Sequence, residues 1–164
     1  MKRGCCVKPK FRRCGPFLAG LAVLALFCSV ADPSKALTDD QFWHDANTGL
    51  ALGGFDPVSY FADAKPRYGM EELEHVWQEA AFRFSSTGNL EAFMRDPEIY
   101  APRFGGHGVV AMARGNLSAG NPSVWAIVKG RLYLFHTLDN KLKFERERAV
   151  LLEKAEDHWK RLSN

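Results

Sequence analysis

The sequence predicts an α+β fold in which a small antiparallel sheet packs with a few helices and a C-terminal amphipathic helix. Residues 124–137 carry the strongest strand pattern, VWAIVKGRLYLFHT, in which β-branched and aromatic runs flank Lys129-Gly130. Residues 140–164 read NKLKFERERAVLLEKAEDHWKRLSN, where apolar side chains recur near helical spacing. A shorter helical pattern over 85–100, SSTGNLEAFMRDPEIY, completes the mixture of element types.

The chain before these elements is predicted to be mostly turn. Residues 37–49, LTDDQFWHDANTG, are polar with a few aromatics and form a short helix or an arm. In the next stretch, LALGGFDPVSYF at 50–61, a Gly-Gly bend is followed by Asp56-Pro57, which starts a turn. Residues 70–86, MEELEHVWQEAAFRFSS, alternate in a way that indicates two short strands about a turn near Gln78-Glu79.

Each predicted helix and the hairpin should bury one face. Ser86 or Thr87 caps the first helix, and Asp96-Pro97 ends it. A two-residue hairpin pairs Val128 with Arg131. The side chains expected on buried faces are Leu90, Phe93 and Met94 in the first helix, Trp125, Ile127, Leu132, Leu134 and His136 in the hairpin, and Phe144, Leu151, Leu152, Ala155, Trp159 and Leu162 in the last helix.

Residues 1–36 have the features of a secretory signal peptide. A basic start, MKRGCCVKPKFRR, precedes an apolar run, CGPFLAGLAVLALFCSVA, and small residues follow as Ser29-Val30-Ala31 or Ser34-Lys35-Ala36. The apolar run is short for a membrane span, which takes about 20 residues. We therefore expect cleavage, no membrane span afterwards, and export of residues 37–164 as a single periplasmic or secreted domain. An uncleaved N-terminal membrane anchor is the alternative.

The leader also accounts for the basic charge and the cysteines. The whole chain has a net charge of +3, but residues 37–164 contain 15 Lys and Arg against 18 Asp and Glu. The net positive charge of the whole chain therefore does not indicate nucleic-acid binding, and no nucleic-acid partner is expected. All four cysteines precede Ala36, so residues 37–164 offer no thiol nucleophile, no CxxC redox pair and no thiolate ligand for zinc.

Several motifs occur in an order that resembles a known family. GFDPVSYF at 54–61 precedes FRFSSTGNLEAFMRDPEIYAPRFGG at 82–106, and WAIVKGRLYL at 125–134 and AEDHW at 155–159 follow. Together they resemble the YHS domain, in particular the exported bacterial YHS domain-containing proteins, over roughly residues 47–162. The resemblance implies a small α+β binding domain but no agreed activity.

Two positions depart from the metal-binding members of that family. Those domains supply one cysteine from each of the first two segments as soft metal ligands, and this chain has Ser59 and Ser85 there. A hydroxyl is a poor ligand for the metals that thiolates select. The metal role that the resemblance implies is therefore not carried by these two residues. In the exported relatives, the GG pair is often followed by an aromatic residue and then a cysteine. This chain reads GGHGV there, with His107 at the aromatic position and Gly108 at the cysteine position.

The histidines His107 and His136 are the candidate metal ligands. Neutral imidazole suits copper, zinc or another divalent transition metal, and the pair would need a carboxylate or water to complete a site. They lie far apart in sequence without HxH or HxxxH spacing, so the sequence does not show that they meet. The alternative for each is a partly buried histidine satisfied by a backbone carbonyl, or a surface one.

Four further residues are candidates for lining a pocket. Asp56 offers a carboxylate, although hydrogen bonding of the turn around Pro57 is the simpler role. Tyr60, Tyr100 and Arg103 are of types that often line binding sites, with ordinary packing as the alternative. No phosphate loop, nucleophile elbow or catalytic set is visible.

Three functions from different classes follow. The first is an exported YHS-like binding module for a small ligand of unknown identity, or for a metal bound through histidines. The second is a metal-free interaction domain that binds a protein of the cell envelope. The third is an uncharacterised enzyme, which ranks last because no catalytic residues stand out. We favour the first over the second.

Overall fold

Two antiparallel hairpins and a long C-terminal helix are the longest elements of the described chain. The computed structural model describes residues 42–162, so the predicted leader and residues 37–41 lie outside the described residues. The elements in chain order are α1 (Ser59–Ala62), β1 (Met70–Trp77), β2 (Ala80–Phe84), α2 (Thr87–Arg95), α3 (Pro97–Tyr100), α4 (Val109–Met112), β3 (Asn121–Val128), β4 (Arg131–Phe135) and α5 (Leu138–Leu162). Single turns of 3₁₀ helix span Leu52–Gly54 and Arg103–Gly106.

This mixture of elements confirms the predicted α+β class. The strands of the described residues form two separate two-stranded sheets, β1–β2 and β3–β4, where the sequence suggested a small sheet. An isolated two-stranded ribbon is marginal in water, so each hairpin depends on the helices and loops that cover it. None of the helices within 42–162 is long and apolar enough to cross a membrane.

The β3–β4 hairpin has the predicted register, with Val128 opposite Arg131 and Ile127 opposite Leu132. Its two turn residues, Lys129 and Gly130, have φ of 51° and 69°. Positive φ at both positions characterises the two-residue turn whose twist matches that of the strands. Because neighbouring side chains point to opposite faces, each face of this hairpin contacts a different part of the core.

One core cluster lies on each side of β3–β4. Leu132 and Leu134 belong to the cluster that contains Phe82, Phe84 and Phe93, and Trp125 and Ile127 pack against it. Tyr133 and Phe135 belong to the second cluster, which is formed with α4 and α5 and contains Phe104, Met112, Phe144, Leu151 and Ala155. The hairpin therefore ties the N-terminal half of the described chain to the C-terminal helix.

The β1–β2 hairpin turns at Gln78-Glu79 as predicted, with Trp77 opposite Ala80. Both turn residues again have positive φ, 46° and 64°, although neither is glycine. The register shifts between Met70 and Glu74, where β1 bulges. Gly69 lies so close to β2 that a Cβ there would come within 2.3 Å of the carbonyl carbon of Arg83. A side chain at position 69 would therefore push the hairpin apart.

The helices follow the prediction except at two positions. Ser86 caps α2 by accepting a hydrogen bond from the Asn89 N–H at 3.2 Å, and Phe93 is buried. Met94, predicted on the same face, is 55% exposed because α2 presents only a narrow face to the core. Leu162, predicted on the buried face of α5, is exposed because it lies at the helix end beyond the last core residue.

Residues 42–49 form a turn rather than a helix. The Asp45 carboxylate accepts hydrogen bonds from the Asn47 and Thr48 N–H groups at 3.0 and 2.9 Å. The Trp43 N–H donates to the Gly105 oxygen at 2.7 Å, which anchors this arm against the Arg103–Gly106 turn. The sequence predicted either a short helix or an arm for residues 37–49. The described part of that range, residues 42–49, forms the arm.

Candidate functional site

His107 lies in extended backbone between the Arg103–Gly106 turn and α4, and its side chain is buried. Its backbone bridges Ala119, and its Nδ1 has no hydrogen-bond partner among residues 42–162. Burial lowers the pKa of His107, since desolvation penalises the imidazolium, and the nearby Ser118 backbone opposes the shift. The ring is therefore held neutral in the interior rather than at the tip of a turn.

His136 follows the last residue of β4 and is exposed, so it does not pack on the hairpin face predicted for it. Its Nδ1 lies 3.4 Å from the Ala119 oxygen, a long contact. Both predicted metal ligands thus lie close to Ala119, one through its backbone and the other through its ring. Within residues 42–162, no group of three or more His, Cys, Asp or Glu side chains is arranged to hold a metal ion.

Asp56 is fully buried at the centre of a hydrogen-bond cluster. Its Oδ1 accepts from the Val58 N–H at 2.8 Å, the turn contact around Pro57 that the sequence suggested. Its Oδ2 accepts from the Ser85 N–H at 2.9 Å, from the Ser85 hydroxyl at 2.6 Å and from the Asn89 side-chain amide at 2.6 Å. We call Asp56, Ser59, Ser85 and Asn89 the aspartate cluster.

Ser59 completes the aspartate cluster from the other side. Its hydroxyl donates to the Asp56 main-chain oxygen at 2.7 Å and accepts from the Arg67 N–H at 3.0 Å. Ser59 and Ser85, which the resemblance to metal-binding YHS domains aligns with cysteines, therefore both hydrogen-bond to Asp56. Hard hydroxyls already engaged in hydrogen bonds do not fit a soft metal ion, so the aspartate cluster is unsuited to a metal that prefers thiolate ligands.

Tyr60 and Tyr100 both take part in packing. Tyr60 is fully buried, donates from its hydroxyl to the Pro122 oxygen at 2.9 Å, and meets Trp125 edge to face. Burial raises the pKa of Tyr60, and the charge of Asp56 adds to the shift. Tyr100 is half-buried, with its ring edge to face with Phe61. Tyr60 is therefore a core residue of the fold, and the Tyr100 ring packs at its edge.

Arg103 lines a surface cleft of about 270 Å³, which we call the arginine cleft. The side chains that matter for its chemistry are Trp77, Glu98, Arg103, Phe104, Arg131 and Trp159. They come from four separate segments: the end of β1, the α3–3₁₀ region, the start of β4 and the end of α5. This convergence of aromatic and cationic groups is typical of a small-ligand site.

The two arginines of the cleft differ in their partners. Arg103 Nη2 donates to both carboxylate oxygens of Glu156, at 2.7 and 2.9 Å, and its guanidinium lies 5.6 Å from the Phe104 ring centroid. Arg131 Nη1 donates to the Glu98 main-chain oxygen at 2.7 Å. Within residues 42–162, Arg131 takes part in no ion pair.

Tyr133 adds a polar group between the two arginines. Burial raises its pKa, Arg103 acts in the opposite direction, and the carboxylate of Glu156 raises it further. Its phenol therefore stays protonated and can donate a hydrogen bond. A second cleft, of about 260 Å³, shares both arginines with the first and is also lined by Lys129, Tyr133 and Glu156.

Sequence reasoning identified Arg103 as a pocket candidate but not Arg131, Trp77 or Trp159 as its neighbours. The sequence places Arg131 only in the hairpin register, opposite Val128, and the two tryptophans only in strand and helix patterns. Their common location depends on how α5 lies across the β3–β4 hairpin, which no local pattern encodes. Comparisons of the chain with known protein families, with curated proteins and with solved structures found no match.

Proposed function

We propose that this protein is an exported binding module of the YHS type that holds a small ligand in the arginine cleft. The observation that carries the proposal is the convergence of Trp77, Arg103, Arg131 and Trp159 in one cleft. Aromatic walls with a few placed polar groups are what a small-molecule site requires.

The aspartate cluster supports the link to the YHS family. The segments GFDPVSYF and FRFSS, which carry the resemblance, meet through Asp56, Ser59 and Ser85. Ser59 and Ser85, which the resemblance aligns with metal-ligating cysteines, both hydrogen-bond to Asp56 instead. The proposal therefore gives this chain a binding role that does not use the thiolate metal site.

Ligand-dependent stabilisation tests this function. A ligand that binds only the folded state raises the melting temperature by mass action. We expect a thermal-shift screen of small anionic, cationic and neutral compounds to yield ligands whose effect is lost in Trp159→Ala. Failure of every compound class, together with capture of a defined envelope protein, would instead favour the interaction-domain alternative.

A second candidate function is metal binding through His107 and His136. The observation that favours it is the buried Nδ1 of His107, which has no hydrogen-bond partner in the described part of the chain. Copper or zinc bound there would take two imidazoles and complete its coordination with water. Metal content and metal-dependent melting of the wild type and His107→Ala test this candidate: stoichiometric uptake weakened by the substitution supports it, and unchanged melting with every divalent metal rejects it.

A further inference from the structure

Arg131 is the cationic group shared by the clefts on this side of the molecule. It lines the arginine cleft, the second cleft beside Tyr133, and a third cleft of about 350 Å³ next to Pro97 and Ile99. Its side chain is half-buried, so its charge lies near low-dielectric surroundings rather than fully in water. An anion bound beside Arg131 would therefore be attracted more strongly than an anion bound beside a fully exposed arginine.

The guanidinium of Arg131 retains donor capacity. An arginine carries five N–H donors in a planar fork, and within 42–162 the only partner found for this side chain is the Glu98 main-chain oxygen. Arg103 differs because the carboxylate of Glu156 already occupies its Nη2. A bound oxyanion would therefore meet Arg131 without displacing an existing ion pair.

The charges around Arg131 favour an anion over a cation. The arginine cleft is lined by two basic residues, Arg103 and Arg131, and by one acidic residue, Glu98. In the second cleft, three basic residues lie with one acidic residue, Glu156. This cationic surplus lies on a domain, residues 37–164, in which acidic residues outnumber basic ones. The local excess is therefore a property of the cleft and not of the overall composition.

The tryptophans beside Arg131 offer surfaces for a planar group. Trp77 is held by Phe42 and Phe93, with ring centroids 5.1 and 5.8 Å away, and Trp159 is held by Phe104 at 6.1 Å. Both indoles are only partly buried, and both line the arginine cleft. Rings fixed in this way can stack on a planar ligand with little loss of side-chain freedom.

We propose that the ligand of the arginine cleft is a small aromatic oxyanion whose carboxylate or phosphate binds Arg131 while its ring contacts Trp77 and Trp159. The inference rests on the proposed function, since it names the ligand class of the same cleft. The volume of about 270 Å³ limits the ligand to a single ring with short substituents. The anionic group selects against neutral analogues because only an oxyanion adds a second, opposite charge to the hydrogen bond that the Arg131 guanidinium donates.

Calorimetric and tryptophan-fluorescence titrations of the protein, expressed from the full-length sequence and purified, test this inference. The compounds are benzoate, phenyl phosphate, benzamide and inorganic phosphate. We expect benzoate or phenyl phosphate to bind at least about tenfold more tightly than benzamide, because benzamide lacks the charge. Whichever of the two binds more tightly identifies the oxyanion, and inorganic phosphate should bind more weakly than either because it lacks the ring.

Three variants assign the effect to Arg131. Arg131→Gln should weaken binding of the preferred anion by about tenfold or more, and Arg131→Lys should weaken it less because the charge remains without the planar fork. Arg114→Gln, at an exposed arginine outside the clefts, should bind like the wild type. If Arg131→Gln does not fold, as judged by its melting curve, Arg131→Lys decides the outcome.

Two results would overturn the inference. One is equal binding of benzoate and benzamide, and the other is anion binding unaffected by both Arg131 substitutions. If neutral compounds bind and Trp159→Ala weakens them, the binding function stands and only the ligand class is wrong. If no compound of any class binds, the proposed function itself fails.

Discussion

The aspartate cluster and the arginine cleft are both polar, but they differ in whether their hydrogen bonds are complete. Asp56 is fully buried, and four N–H or O–H groups from three segments donate to its carboxylate. Arg131 is half-buried and donates to one main-chain oxygen, with no ion-pair partner within 42–162. Both carboxylate oxygens of Asp56 already accept hydrogen bonds from the protein, whereas Arg131 retains N–H donors for a ligand.

This difference separates a structural site from a binding site. A buried carboxylate surrounded by donors stabilises the fold, because removing it leaves those donors unpaired. A partly exposed cation with spare donors in a cleft contributes little to folding and can bind an anion from solution. The resemblance to YHS domains draws attention to the first site, but the chemistry available to a ligand lies at the second.

The largest effect on stability is expected for Asp56→Ala. The change leaves the N–H groups of Val58 and Ser85 and the amide of Asn89 unpaired in the interior, at a cost on the order of 3–5 kcal/mol in the free energy of unfolding. Denaturant unfolding measures the loss. Asp45→Ala is the matched control, because Asp45 accepts similar backbone hydrogen bonds in a local turn of the arm. Equal losses in the two variants would contradict a special structural role for Asp56.

A pH-dependent effect is expected at His107. Burial lowers its pKa in the folded state below the ordinary value near 6.5. Below that value the unfolded chain binds a proton that the folded protein does not, so stability is fully present above pH 6.5 and falls as the pH falls toward the lowered folded pKa. Between pH 7 and pH 5, the free energy of unfolding should therefore decrease less in His107→Leu than in the wild type.

The control for His107 is His136→Gln, since His136 is exposed. That variant should keep the acid sensitivity of the wild type, measured by denaturant unfolding at a series of pH values. If His107→Leu and the wild type lose stability in parallel on acidification, the buried imidazole is not the group responsible.

A smaller effect on stability is expected for Arg131→Gln. The substitution removes one hydrogen bond at a partly exposed site, which costs about 1 kcal/mol or less in the free energy of unfolding. The same variant should lose most of its anion binding, so binding and stability should change independently. A stability loss as large as that of Asp56→Ala would mean that Arg131 is structural and would remove the contrast between the two sites.

The smallest effect is a gain in stability in the turn of the β1–β2 hairpin. Gln78 and Glu79 both have positive φ, a conformation that Asn and Gly adopt more readily. The double substitution Gln78→Asn, Glu79→Gly should raise the melting temperature, with a stabilisation of roughly 0.5–1 kcal/mol. The equivalent change of Lys129→Asn before Gly130 is the control in the other hairpin, and a lowered melting temperature in both would contradict the turn assignment.

The elements that the sequence predicted are those fixed by neighbouring residues. Val128 faces Arg131 because a two-residue turn determines the register, and Ser86 caps α2 because its hydroxyl reaches an N–H three residues later. The split into two sheets could not be predicted, since strand pairing between distant hairpins depends on the tertiary fold. Met94 was misassigned because helical spacing alone does not show how wide a face the core covers.

The candidate site was less predictable than the fold. Arg103 could be chosen by residue type, but nothing local indicates that Arg131 and Trp159, 28 positions apart in the printed sequence, meet it in one cleft. The sequence left open whether His107 is partly buried or exposed, and the structure buries it. In both cases the decisive information is long-range packing.

The most direct test of the central claim is a nitrogen-15 NMR titration with benzoate that follows the four tryptophan indole N–H signals, assigned by single Trp→Phe variants. We predict that the Trp77 and Trp159 signals shift on binding while the Trp125 signal, from the core beside Tyr60, stays in place. Binding of benzoate that leaves both Trp77 and Trp159 unmoved would contradict the assignment of the arginine cleft as the ligand site.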